Sequence, residues 1–226
     1  MRMRKKKHGA ERIAACRELL IDPTTLPTAD PEGYFPASRP LAIEIGCGKG
    51  DFAVGMAAAH PDRNWIAMEC VSDVACLALE KAMAAKDTRP GDNLRFLIGD
   101  AKYLSDQFPA HCADELYLNF SDPWPKAGHA RRRLTHANFL AIYRRLLRGG
   151  GLLRLKTDNE GLFDFSLEQF ALCGLTVEWM TRDLHRSERA EGNIMTEYER
   201  NFSEKGQVIY SAWVRFPDTE ATDAAE

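Results

Sequence analysis

The segment Leu41-Ala42-Ile43-Glu44-Ile45-Gly46-Cys47-Gly48-Lys49-Gly50-Asp51-Phe52 passes from a short, mostly apolar run into three glycines, then into small apolar residues ending near His60-Pro61. An apolar run closed by glycine predicts a buried strand over 41–45, and the stretch after the glycines a helix over 52–59. The unit recurs downstream. Strands are predicted over 64–68, 94–98, 115–119, 152–156 and 176–180, and helices over 72–86, 135–147 and 160–172. Ser72 reads as an N-cap, and Gly149-Gly150-Gly151 as the stop of the helix before the fifth strand. A seventh strand, 208–214, alternates apolar and polar residues as a strand near a solvated edge does. These repeats predict one α/β domain over 41–216, with a mostly parallel seven-stranded sheet covered by helices on both faces. Ligands of such a Rossmann-like fold lie outside the carboxyl ends of the strands.

Before the domain come a basic start (Arg2 to Lys7), a short helix over 10–20 and a connector from Asp22 to Pro40 with five prolines. After it, the acidic tail 217–226 is expected to be disordered. The 226 residues are 45% hydrophobic and 28% charged with a net charge of −3, which excludes a disordered or collagen-like chain. No run approaches the ~18 apolar residues of a membrane span, and Glu11, Arg12, Arg17 and Glu18 interrupt any signal-peptide core. The expectation is a cytoplasmic protein without membrane contact, either monomer or homodimer. Six cysteines with no Cys-x-x-Cys pair predict reduced thiols, and the histidines complete no zinc quartet, so no metal is expected.

Charge is distributed unevenly. From Pro123 to Thr157 there is no acid and there are nine cations, leaving 21 basic against 33 acidic residues elsewhere. A basic window inside an acidic chain points to a polyanion, nucleic acid first.

Three ligand classes compete for the glycine loop. A phosphate-cradling P-loop fails, because Ile43 stands where its first glycine belongs and Gly50 where it needs Ser or Thr. The dinucleotide fingerprint is a near miss, with Asp51 in place of its third glycine. What remains, Glu44-x-Gly46-x-Gly48-x-Gly50, resembles the cofactor loop of S-adenosylmethionine-dependent methyltransferases. That cofactor has no pyrophosphate and carries ammonium and sulfonium charges that a carboxylate favours. Two more acids follow later strands. Glu69 is placed to accept ribose hydroxyls, and Asp100 to reach an adenine amino group.

After the fourth predicted strand comes Asn119-Phe120-Ser121-Asp122-Pro123-Trp124-Pro125-Lys126. Its prolines stiffen the loop and hold Asp122 and Trp124 extended, presenting a carboxylate, an aromatic face and an amine. With Arg131-Arg132-Arg133-Leu134-Thr135, Lys156-Thr157-Asp158-Asn159, Asp183-Leu184-His185 and Thr196-Glu197-Tyr198-Glu199, this segment resembles the signature of the tRNA (guanine-N7-)-methyltransferase family, from Glu44 to about Tyr210. Gly128 departs from it, since the family more often has a basic residue there.

The resemblance implies a class I methyltransferase fold, S-adenosylmethionine as cofactor and a variable-loop guanosine of tRNA as acceptor. It assigns Glu44, Gly46, Gly48, Glu69, Asp100, Ala101 and Asp122 to the cofactor, with Asp122 also catalytic. It assigns Lys126, Asp158, Thr196, Glu197, Tyr198 and Glu199 to the target nucleoside, and His129, Arg131, Arg132 and Arg133 to RNA. Residues 184–195 are expected to be a mobile loop. Trp124 is left open between stacking on the base and packing. Two rivals stand beside this reading: a methyltransferase of the same fold for another acceptor, and an RNA-binding module with a vestigial cofactor fold.

Overall fold

The computed structural model describes residues 7–22, 31–88 and 90–218. Among them the strands are β1 (Leu41–Ile45), β2 (Asn64–Glu69), β3 (Leu94–Ile98), β4 (Ala113–Asn119), β5 (Leu147–Thr157), β6 (Thr176–Thr181) and β7 (Tyr210–Arg215). The helices are α1 (Gly9–Ala15), α2 (Asp51–Ala59), α3 (Ser72–Ala84), α4 (Leu104–Gln107), α5 (Ala137–Leu146), α6 (Glu160–Leu172) and α7 (Glu197–Ser203). The strands form one sheet in the order β3-β2-β1-β4-β5-β7-β6. The first five are parallel, and β7 runs antiparallel to both of its neighbours. Strand order reverses between β1 and β4, so the loops leaving those two strands diverge and open a crevice.

Alternation along the strands divides the core in two. Ile43, Ile45, Leu116, Leu118, Leu153 and Leu155 pack on one face with Leu104, Leu140, Tyr143, Phe163 and Phe170 from α4, α5 and α6. Ala42, Trp65, Ala67 and Tyr117 pack on the other with Phe52, Ala53, Ala78 and Leu79 from α2 and α3. The segment before β1 is docked on this second layer. Arg12 pairs with Glu80 at 2.6 Å, Leu19 and Ile21 are buried, and the Ile21 amide donates to the Phe96 carbonyl. The basic residues 2–6 and the tail from 219 lie outside the described residues. All six cysteines are free thiols. No helix among the described residues is long and apolar enough to cross a membrane.

Three expectations are corrected. Ser72 is the first residue of α3 and caps nothing; Val71 precedes it in an extended conformation. The triple glycine does not end a helix before a strand. β5 begins at Leu147 and passes through the glycines as a bulge, with Leu147 opposite Ala113 and Leu152 opposite Glu115. Gly150, at φ 72°, supplies the left-handed turn that the bulge needs. The alternating β7 is not an edge strand, for it lies between β5 and β6. Its alternation has another cause: on the second-layer side residues 184–195 lie against β5 and β7, with Leu184, Arg189 and Asn193 beside Arg154, Lys156, Ser211 and Trp213.

Those residues form a strap held against the sheet by side-chain contacts. The Arg189 guanidinium lies 3.7 Å from the Trp213 ring centre and 5.1 Å from that of Trp179, while Arg154 takes the indole of Trp213 at 4.1 Å. Leu184 is buried, its amide donating to the Ile209 carbonyl.

Candidate functional site

Two cavities meet at the glycine loop. The larger, of about 880 Å³, is lined by Gly46, Gly48, Glu69, Asp100, Ala101, Asp122, Trp124, Arg131 and Arg132, and closed by apolar residues such as Ile45, Met68 and Phe139. The smaller, of about 350 Å³, is lined by Glu44, Gly46, Gly48, Phe120, Thr196, Glu197 and Tyr198. Gly46 and Gly48 take φ values of 81° and 56°, with nothing within 4 Å of where a Cβ would sit. A side chain there would be strained and would fill the space that both cavities share.

Glu44 is buried at the end of β1. Its Oε1 accepts from Asn119 Nδ2 at 2.9 Å, while its Oε2 is buried without a partner. Burial pushes its carboxyl up to about 7, against the hydrogen bond from Asn119 and the charge of Lys156. A buried oxygen left without a donor at the wall of a cavity suits a cationic ligand group. Glu69, at the end of β2, receives the amides of Gly48 at 3.0 Å and Val71 at 2.9 Å, which fixes its carboxylate beside the glycine turn. Asp100 is exposed and accepts from the Lys102 amide at 3.1 Å. These residues fit S-adenosylmethionine: an unpartnered acid for its ammonium, a glycine cradle, and two acids at successive strand ends for its nucleoside.

The remaining candidates divide. Thr196, Glu197 and Tyr198 line the smaller cavity, where Lys49 pairs with Glu197 at 2.8 Å and the Tyr198 ring lies tilted against Phe120 at 5.0 Å. Asp158 accepts from the Tyr198 hydroxyl at 3.0 Å, behind that wall. Lys126 is exposed and outside both linings, and His129 packs edge-on to Trp124 at 5.7 Å.

Two of the assigned residues are engaged within the protein. Glu199 is fully buried, where it accepts from Lys156 Nζ at 2.8 Å, bonds His185 Nε2 at 2.9 Å and is bonded by Asn193. Burial alone would raise its carboxyl, but Lys156, His185 and Asn193 outweigh that and hold it below the usual range. It lies behind the wall of the smaller cavity, beside Thr196, Glu197 and Tyr198. Arg133 donates Nε to the Pro123 carbonyl at 3.0 Å and Nη2 to that of Trp124 at 3.1 Å, so it braces the loop. The acid-free window is likewise no continuous basic surface. Arg148 pairs with Asp114 and Arg154 with Glu115, acids from β4, and Lys156 pairs with Glu199. Arg131 and Arg132 are its exposed cations at the larger cavity.

Lys156 and Asn119 received no role from the sequence. The signal was present: a lysine ending the apolar run Leu152–Leu155, and an asparagine at a strand end. What they bind was not visible, because Glu199 and Glu44 lie far away along the chain.

Residues 38–212 match a family described as putative methyltransferase. A tRNA (guanine-N(7)-)-methyltransferase of Limosilactobacillus reuteri is 44% identical over 96% of this chain and 100% of its own length. One of Lactococcus lactis subsp. cremoris is 42% identical over 96% and 98%. The chain belongs to the tRNA (guanine-N(7)-)-methyltransferase family. Solved structures at lower identity share the methyltransferase fold. The 16S rRNA methyltransferase KamB aligns with a TM-score of 0.57 at 16% identity, covering 79% of this chain and 88% of that one. A 16S rRNA adenine methyltransferase from Catenulisporales acidiphilia, solved with its cosubstrate SAM, aligns at 0.54 and 16% identity over 96% and 94%. In this methyltransferase the switch point of the sheet, where folds of this class bind ligands, is the crevice between β1 and β4.

Proposed function

We propose that this protein methylates N7 of a guanosine in the variable loop of tRNA, in the cytoplasm, with S-adenosylmethionine as donor. What carries the reading is the match to guanine-N7 enzymes across almost the whole chain and the whole of the relative. When bound, S-adenosylmethionine supplies a sulfonium methyl group that the N7 lone pair takes by in-line displacement, leaving a neutral thioether and a cationic base. N7 carries no proton, so no side chain need act as a general base. The work left to the protein is positioning and electrostatic stabilisation. Glu44, Glu69 and Asp100 hold the donor, Asp122 faces the charge that develops on the base, and Thr196–Tyr198 with Asp158 wall the acceptor. Incubation of the protein with unmodified tRNA and methyl-labelled cofactor, followed by mapping of the label to base and atom, tests this. Label at guanosine N7 is expected, and label at any other atom overturns it.

Glu44→Gln separates cofactor binding from stability. A carboxyl whose pKa is about 7 folded and 4.5 as its reference value costs nothing below pH 4.5 and its full penalty above pH 7. Glutamine never ionises. The variant should therefore melt higher than wild type at pH 8 and equal to it near pH 5, as thermal scans at both values would read. Its affinity for the cofactor should fall by about 10- to 100-fold, because the ammonium loses a charged acceptor. A variant no more stable at pH 8 would show that Glu44 bears no such penalty.

Arg131→Ala and Arg132→Ala should each lower the slope of log affinity for tRNA against log salt by about one. Arg133→Ala should leave that slope unchanged and lower the melting temperature. Filter-binding titrations across a salt series distinguish the two behaviours.

A further inference from the structure

Trp124 is not extended, as the proline after it predicts, but holds a left-handed φ of 41° that a bulky residue seldom adopts. The brace from Arg133 to the carbonyls of Pro123 and Trp124 maintains it. Such enforced strain collects where a side chain must be presented. The indole is presented to the larger cavity beside Asp122, with His129 against its edge and the Arg132 guanidinium 4.9 Å from its ring centre. Arg132 itself is exposed, and among the described residues its guanidinium has the indole as partner.

We infer that Trp124 is the platform on which the target base stacks, and that Arg132 covers that face as a stand-in cation until RNA arrives. The inference rests on the proposed N7 activity, because only methylation at a ring nitrogen without a proton gives the base a full positive charge. An aromatic face attracts a cation more than it attracts a neutral ring. Attraction to the indole therefore grows as the methyl is transferred, and interactions that strengthen toward the transition state raise turnover rather than affinity alone. The exchange also gives Arg132 two employments. On the ring in the free protein, it is released to a backbone phosphate when the base takes its place, so charge recognition and base capture are one event.

The test uses the intact protein and two nucleosides, guanosine and 7-methylguanosine, in mildly acidic buffer where the second is cationic. Removing the stand-in cation should have opposite effects on the two ligand classes. Arg132→Ala is expected to bind 7-methylguanosine about 3-fold tighter or more and tRNA more weakly than wild type. Trp124→Leu should abolish the preference for 7-methylguanosine over guanosine and lower kcat more than it raises KM for tRNA, whereas Trp124→Phe should keep both largely intact. Weaker or unchanged binding of 7-methylguanosine by Arg132→Ala overturns the inference, and so does a preserved preference in Trp124→Leu. Should the leucine variant not fold, Arg132→Ala decides alone. Label mapped to another atom in wild type would instead defeat the activity reading; label at N7 without the opposed shifts defeats this inference only.

Discussion

Alanine at position 122 should lower the turnover of tRNA methylation by about 100-fold, the scale of losing one preorganised electrostatic group. Asp122 leaves β4 through Asn119-Phe120-Ser121, and Pro123 fixes the backbone just after it. It stands exposed on the lining of the larger cavity, so in the free protein water screens its charge. Docked RNA would cover that mouth, and the same carboxylate then faces the base across a drier gap in which charges act more strongly. Cofactor affinity should change little in comparison, because Glu44 and Glu69 sit deeper. Asp122→Asn keeps shape and a hydrogen-bond acceptor while deleting the charge, and it should approach the alanine variant. Single-turnover rates with saturating tRNA provide the measurement. A folded alanine variant turning over at the wild-type rate would remove Asp122 from the chemistry.

Lys156→Met should destabilise the fold by about 3 to 5 kcal/mol, as expected when one member of a buried ion pair is deleted. The Lys156 ammonium donates to Glu199 Oε2 at 2.8 Å and to Asn193 Oδ1 and the Ile194 carbonyl at 3.0 Å each, and lies 4.9 Å from the Phe52 ring centre. Methionine keeps much of the stem but leaves Glu199 charged and buried with only neutral donors and His185 beside it. Urea titration should show the loss, and adding Glu199→Gln should return much of it, because the stranded charge disappears. A single variant within 1 kcal/mol of wild type, on the ~1 kcal/mol scale of ordinary substitutions, would contradict the pairing. The ion pair also ties the strap to the cofactor side. Loss of Lys156 should move the Glu44 carboxyl further up, since its charge is one of the influences holding that carboxyl down.

Local pattern carried most of the fold. β1, β3 and α6 begin and end where apolar runs and glycines put them; the cap of α6, Asn159 through the Leu162 amide at 2.8 Å, was not read from the sequence. The errors have one physical source, namely contacts made at a distance along the chain. Triple glycine is a helix stop by local rules, yet pairing with β4 turns it into a bulge inside a strand. Alternation in β7 reads as an edge by local rules, yet the half-covered face is roofed by the strap, through Arg189 on Trp213.

The site divides the same way. Glycines and strand-end acids were legible because the topology brings strand ends together automatically. The internal partners of Glu199 and Arg133, namely Lys156 and the carbonyls of Pro123 and Trp124, were not legible because they meet only in three dimensions. The nine-cation window failed as a surface for the same reason, since acids on β4 cancel arginines on β5.

The position of β7 bears on how the nascent polypeptide emerges from a ribosome. β6 is synthesised well before β7, yet β7 alone joins it to the sheet, by hydrogen bonding between β5 and β6. Until residues 210–215 leave the exit tunnel, the outer margin of β5 stays open and β6 has no ladder to join, an arrangement prone to pairing with other chains. Translation stalled before Tyr210 should therefore yield a sticky intermediate that trigger-type chaperones retain, and release of the final strand should seal it in a single late step.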